Sequence, residues 1–324
     1  MKHLLEFKEA YKKIKQADNI LLVAHNQPDG DALSSVAALA ELLEQLNKKY
    51  SIYCYDQPPA VYSFLPHIEK INSDKNTLNF NSYDLIIVLD CGSLSRTKLE
   101  TEIKSKQSNQ FIIEFDHHPR IDFYADLSVK DPDFAATAEL IYFFLKANQI
   151  KINKNIANCI LTGLMTDTGN FLYPSTQERT IKIAAEMLKL GARYPVILEN
   201  TWRNKSLAGL RIWGQAMSRL QINRRYNIAF TVLTQKDLVE NDVNEEELEG
   251  IAGFLSNLHG VKALLFLREK ENNQIKGSLR TTQPKIDVSL LARLLGGGGH
   301  RLASAFLISG RFTKTEKDWQ IVDK

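Results

Sequence analysis

Short apolar runs alternate with helical periods along the first two thirds of the chain. Leu4, Leu5, Phe7, Tyr11 and Ile14 space out an amphipathic helix over residues 3–17, expected to pack against the first strand. That strand is the run Ile20-Leu-Leu-Val-Ala24, and behind it Leu33, Val36, Ala37, Ala40 and Leu43 recur as one helix face. Tyr50-Ser-Ile-Tyr-Cys-Tyr55 predicts a second strand, ended by Gln57-Pro-Pro because a residue before proline avoids the helical region. Tyr83 to Asp90 and Phe111 to Phe115 are continuous apolar runs, the pattern of strands buried on both faces. Helices are predicted over 136–145 and from Asn155 to Met165. Ser175-Thr-Gln-Glu178 has the form of a capping box opening another, with Ile181, Ala184, Ala185 and Leu188 inward and Gly191 as its stop.

Between 192 and 225 the pattern is helical and basic. Leu207, Leu210, Met217 and Leu220 keep helical spacing among Trp202, Arg203, Lys205, Arg211, Trp213, Arg219, Arg224 and Arg225. Tyr226 to Thr234 alternates as a strand; a helix follows with Asn244 and Glu247 at its start and Ile251, Phe254, Leu255 and Leu258 on its buried side. Val261–Leu267 and Gln274–Arg280 flank the hairpin turn Glu271-Asn-Asn. Asp287 caps a helix from Val288 to Leu295, and four glycines, 296–299, lead to His300 and a strand over 303–308. The predicted class is α/β. An N-terminal parallel-sheet domain with helices on both faces (1–191) is joined by a helical connector (192–225) to a smaller C-terminal mixed-sheet α/β domain (226–324).

Composition narrows the chemistry. The 324 residues are 44% hydrophobic, and 41 basic against 38 acidic residues leave a formal charge of +3. That is too small for a duplex-coating surface, so duplex DNA is excluded as a partner and a nucleic acid partner should be short. Cys54, Cys91 and Cys159 are odd in number and show no CxxC spacing, which points to a reducing cytosol. No stretch approaches the roughly 18 apolar residues of a membrane span. A soluble, unprocessed cytoplasmic protein is expected.

Polar groups gather at strand ends. His25, Asp29 and Asp31 follow the first strand, Asp90 ends the run from Tyr83, and Asp116-His117-His118 follows Phe115. In an open parallel sheet, side chains at the carboxyl ends of strands meet in the ligand crevice, and imidazole with carboxylate is a transition-metal donor set. The plain alternatives are a strand-to-helix turn shaped by Pro28 and Gly30 with Asp31 as helix cap, and a solvated His-His turn. Asp116 is placed to fix a histidine tautomer. Asp167 ends its helix at the negative end of the dipole, where a cation would compensate it. The glycine run is either an anion site of exposed backbone N–H groups or a flexible link, and neither a dinucleotide fingerprint nor a P-loop lysine is present.

With His25-x-x-x-Asp29-x-Asp31, Asp90, Asp116-His117-His118, Asp167 and the glycines before His300 in that order, the chain resembles the DHH phosphoesterase family over nearly its whole length. It looks like the stand-alone nanoRNase and pAp phosphatase branch rather than the longer RecJ exonucleases. The resemblance implies two manganese ions, with magnesium or cobalt as substitutes, held by His25, Asp29, Asp31, Asp90, His117 and Asp167, with Asp90 bridging. His118, beside Asp116, would face the phosphate as the catalytic pair. A family-associated C-terminal domain would bind substrate through Gly298, Gly299, His300 and Arg280. Short RNA oligonucleotides and pAp are the implied substrates, a cyclic-dinucleotide product or pyrophosphate is the alternative, and a homodimer is left open. Ser34 stands where the family often has glycine, and Leu172 where it often has an arginine able to clamp phosphate in bidentate fashion.

Overall fold

Alternate residues of the first strand serve two cores: Ile20 and Leu22 enter one apolar cluster, Leu21 and Val23 another. A strand buried on both faces must be central to a sheet covered on both sides, which is what its uninterrupted apolar sequence implies. The structure, a computed structural model, describes residues 2–315 and 319–322. Residues 316–318 and 323–324 of the expected second domain lie outside the described residues. The chain divides into two units, Met1–Asn204 and Lys205–Lys324.

The first unit runs α1 (Leu4–Gln16), β1 (Asn19–Val23), α2 (Gly30–Gln45), β2 (Lys49–Tyr53), β3 (Ile71–Asn72), β4 (Leu85–Leu89), α3 (Glu100–Lys104), β5 (Phe111–Asp116), β6 (Leu127–Lys130), α4 (Thr137–Ala147), α5 (Lys154–Asp167), α6 (Glu178–Lys189) and α7 (Tyr194–Thr201). Its six strands are ordered β3-β2-β1-β4-β5-β6 and pair in parallel throughout. The order reverses at β1 and β4, so the carboxyl ends of these two strands flank the crevice where such sheets bind ligands. Helices cover both faces. The larger core joins α2, α4 and α5 to the Ile20, Ile87 and Phe115 side, and the smaller packs Leu94, Leu99 and Ile103 on the Leu21 and Val88 side. Helix α1 rests on α4 and β6 rather than on the first strand, and buries Phe7, Ala10 and Ile14.

Helix α2 is buried on every side because α5 covers the face turned away from the sheet. Gly163 permits that approach: a Cβ there would stand 2.5 Å from Ala138 Cβ and 2.6 Å from both Asp31 Oδ1 and Ser34 Oγ. Three helices thus meet at one glycine directly behind Asp31. The capping box of α6 is formed by Gln177 and Thr180, two residues beyond the expected one. Its buried face is Thr180, Ile183, Ala184 and Met187, while Ile181 and Leu188 are exposed.

The second unit runs α8 (Leu207–Ser218), β7 (Gln221–Asn223), β8 (Ile228–Leu233), α9 (Gln235–Asn241), α10 (Ile251–Leu255), β9 (Ala263–Lys270), β10 (Gln274–Arg280), α11 (Val288–Leu294), β11 (Gly298–Gly299), β12 (Ala303–Ser309), β13 (Arg311–Lys314) and β14 (Trp319–Val322). Its main sheet, ordered β11-β12-β10-β9-β8-β7, is mixed, with β8 and β9 parallel and the other neighbours antiparallel. The helical residues of 192–225 divide between the units, α7 in the first and α8 in the second. Helix α8 buries Gly209, Ile212 and Ala216 and leaves Leu207, Leu210 and Met217 exposed. Asn244 to Glu247 opens only a short 3-10 turn, and α10 starts afresh after Gly250, whose φ of 92° a side chain would resist. Asn272 and Asn273 both adopt positive φ in the three-residue β9–β10 turn, a conformation asparagine takes more readily than most side chains. Among the described residues no helix is long and apolar enough to cross a membrane.

Candidate metal centre

The turn after β1 separates the tasks of its two carboxylates. Asp29 caps α2, its Oδ1 accepting from the backbone N–H of Asp31 and Ala32 at 3.1 Å each, so the expected capping by Asp31 falls to Asp29 instead. The other oxygen, Oδ2, stands 3.6 Å from His25 Nε2. Asp31, one residue inside the helix and fully buried, accepts from the backbone N–H of Thr137 at 2.6 Å and of Ala138 at 2.9 Å. The amino end of α4, the positive end of its dipole, therefore holds Asp31 in place.

Asp90 leaves β4 with φ of 58°, a left-handed backbone that a non-glycine residue adopts at a cost and that recurs at functional sites. Its Oδ1 accepts from Thr137 Oγ1 at 2.8 Å and lies 3.5 Å from both His117 Nε2 and His118 Nδ1. His117 Nδ1 is 3.3 Å from the Phe134 carbonyl, so an Nδ1–H donated there directs the Nε2 lone pair at Asp90, Asp31 at 4.0 Å and Asp167 Oδ2 at 3.4 Å. His25 is held from two sides. Its Nδ1 lies 2.8 Å from both the Asn26 carbonyl and Arg96 Nη2, an acceptor and a donor that favour opposite tautomers, and its buried Nε2 has no hydrogen-bond partner.

Asp116 differs from these carboxylates because both its oxygens are occupied. Oδ1 accepts from the backbone N–H and Nδ1 of His118, each at 2.8 Å, and Oδ2 from the N–H of Gly92 at 2.7 Å and Lys130 Nζ at 2.8 Å. It orients His118. Lys130, whose side chain is 1% exposed, also donates to Glu114 Oε1 and the Gly92 carbonyl, and Glu114 accepts further from Tyr124 and Ser128.

Three donor groups emerge within the described residues of the first unit. His25, Asp29 and Asp90 bring ligand atoms within 4.8 Å of one another, as do Asp31, Asp90 and His117, and Asp90, Asp116 and His118, and Asp90 belongs to all three. An orphaned imidazole nitrogen facing carboxylates that face each other is a poor arrangement without a cation and a suitable one with it. Burial, then the charges of Asp90, Asp167 and Asp29, pushes Asp31 well above the usual carboxylate range. Burial also raises Asp167 to about 6, with Asp90 and Asp29 adding to it and His117 opposing. Burial alone would raise Asp116, but His118 and Lys130 hold it far below. Burial would lower His118, yet Asp116 and Asp90 keep it well above the usual histidine value.

These shifts set the pH response of the metal-free protein. A carboxylate raised in the folded state stabilises below its unfolded value and loses that contribution as pH rises through its folded value, about 6 for Asp167. Asp116, which is lowered, contributes fully above its unfolded value and is constant over the same window. In chelator, the melting temperature of the wild type should therefore fall relative to Asp167→Asn between about pH 5 and about pH 7. Added divalent metal should reverse the trend, since it binds the ionised ligands. Parallel melting curves for the two proteins in chelator would contradict the assignment.

The four residues predicted in the second unit gather at one end of its sheet. Arg280 ends β10 opposite Ala303, Gly299 pairs with Ser304, and His300 follows. Arg280 Nη1 donates to the Leu279 carbonyl at 2.9 Å. The glycine run is not a loose link: Gly298 and Gly299 form β11, and a Cβ at Gly297 would come within 2.1 Å of the Ala305 carbonyl oxygen. At Gly298 a Cβ would meet open space. Leu172, in the turn after Asp167, is 58% exposed. Sequence reasoning missed Thr137, Lys130 and Glu114, and also Arg96, whose Nη2 is 2.8 Å from His25 Nδ1. Only Gly163, an isolated glycine in an apolar helix, carried a local signal of close packing.

Residues 19–164 match the family model described as DHH family, N-terminal domain, and residues 226–317 match the DHHA1 domain. The chain thus carries a DHH domain followed by a DHHA1 domain. It is a hydrolytic enzyme of the phosphoesterase class. It is 29% identical over 300 residues to the bifunctional oligoribonuclease and PAP phosphatase NrnA of Bacillus subtilis, covering 91% of each chain. The probable protein of the same name from Streptococcus mutans is 28% identical, with 92% of each chain covered. Among solved structures, an exopolyphosphatase-related protein from Bacteroides fragilis superposes with a TM-score of 0.85 at 26% identity, covering 97% of this DHH chain and 92% of the other.

Proposed function

We propose that this DHH enzyme hydrolyses short oligoribonucleotides to mononucleotides and removes the 3′-phosphate of pAp, using two manganese ions held by His25, Asp29, Asp31, Asp90, His117 and Asp167. The observation that carries this reading is the sharing of Asp90 among the donor groups of the first unit, together with the names of the Bacillus and Streptococcus relatives. Bound there, two divalent ions supply charge neutralisation for a phosphoryl group and acidify water at neutral pH.

The chain's own residues prepare that chemistry. Thr137 and the amino end of α4 fix Asp31 and Asp90, so the ligand set is organised before substrate arrives. Asp116, with each oxygen already accepting two hydrogen bonds, is the group that positions His118, and His118 is the residue that contacts the phosphoryl oxygens. A protonated imidazole there favours the negative charge developing during displacement. Arg280, His300 and the open backbone at Gly298 bind the substrate's terminal nucleotide. A formal charge of +3 and free thiols at Cys54, Cys91 and Cys159 accord with short single strands rather than duplex DNA and with a cytoplasmic setting. A substrate panel in manganese tests the proposal. Mononucleotide release from an RNA tetramer and phosphate release from pAp are expected to dominate. Turnover of pyrophosphate or of a linear cyclic-dinucleotide product, with neither RNA nor pAp cleaved, would replace it.

A further inference from the structure

Opposed residues of an antiparallel ladder project from one face of the sheet, so register places side chains in rows. In the second unit Ser278 lies opposite Ala305, and Ala305 opposite Gly298, across β10, β12 and β11. This is a row of small residues, and none of the three enters either apolar core of the unit. Two positions along β10 on either side of Ser278, and on the same face, stand Lys276 and Arg280. Their Cα atoms are about 13 Å apart along the strand. The row is thus a shallow floor with a cation at each end.

The far cation is placed at a cost. Lys276 lies directly opposite Arg268, and like charges opposed across a ladder destabilise it. Glu245 serves Arg268 and Lys270, each at 3.3 Å, and no carboxylate among the described residues pairs with Lys276. Burial, then Arg268 and Lys270, lowers Lys276 to about 8, with Glu245 opposing. An arriving anion would relieve that opposition.

We propose that the Ser278–Ala305–Gly298 floor is a nucleotide subsite of the second unit, and that Lys276 binds a phosphodiester of a single-stranded oligonucleotide beyond the phosphate met by Arg280. This rests on the oligoribonuclease reading and adds a length preference to it. A nucleoside monophosphate offers one phosphate and so meets only one of the two cations, whereas an RNA tetramer has phosphates for both.

Binding measured in chelator separates this from catalysis. A fluorescently labelled RNA tetramer and AMP are titrated against wild type, Lys276→Gln and Lys276→Arg at several salt concentrations. Lys276→Gln should weaken tetramer binding about tenfold and flatten its log–log salt slope by about 0.7, the share of one phosphate contact on a single strand. AMP binding should change by less than about twofold, and Lys276→Arg should retain tetramer affinity. The melting temperature of Lys276→Gln should hold or rise, because a like-charge opposition is removed. Equal losses for AMP and tetramer, no loss for either, or a lowered melting temperature would each overturn the inference. Wild type that cleaves neither RNA nor pAp in manganese would refute the function, while the binding contrast would still decide the subsite.

Discussion

Asp90→Ala is expected to lose bound metal and to lower turnover by roughly three orders of magnitude, the rate equivalent of several kcal/mol of charge stabilisation. Asp90 belongs to all three donor groups of the first unit, where Asp29 and Asp31 each belong to one, so under the proposed two-ion centre its removal should cost more than the loss of either. Its carboxylate also accepts from Thr137 Oγ1, which would be left buried and without that acceptor. The fold should survive, because the side chain projects from the strand end into the crevice rather than into either apolar core. Metal content, turnover and melting temperature measured on one preparation decide the matter. A folded variant with full metal content and near wild-type turnover would remove Asp90 from the centre.

Lys130→Met should cost about 3–5 kcal/mol of unfolding free energy, the effect of breaking a buried ion pair by removing one partner. The side chains of Lys130, Glu114 and Asp116 are 1%, 3% and 0% exposed, and Lys130 is the cation that pairs with both acids. Glu114 keeps its bonds from Tyr124 and Ser128, but Asp116 loses one of the donors that hold it in place. His118 would then lose its fixed orientation, so kcat should fall further than metal affinity does. The double variant Lys130→Met with Glu114→Gln should recover part of the stability, because one unpaired buried charge is removed with its partner. Urea unfolding of the single and double variants measures this. A loss below about 1 kcal/mol in the single variant would show that the network is solvated and inert.

The parallel sheet and the position of the centre were legible in the chain because both depend on local pattern. An apolar run without alternation must be buried on both faces, and a carboxylate or histidine just past its end must emerge at the sheet's edge. That reasoning places His25, Asp90 and Asp116 to His118 at strand ends, where the structure has them. Helix existence was also local, but helix rotation was not. In α6 the apolar residues exceed one face, and neighbours in space select Ile183 and Met187 over Ile181 and Leu188. Only tertiary structure sets β4 beside β1, closing the crevice between residues distant in the chain. Only it delivers the Thr137 and Ala138 amides to Asp31, and Lys130 to Asp116, since a hydrogen bond between distant residues leaves no periodicity at either end. A pattern of period two or 3.6 reports which side of an element is buried. What covers that side is decided when the elements pack.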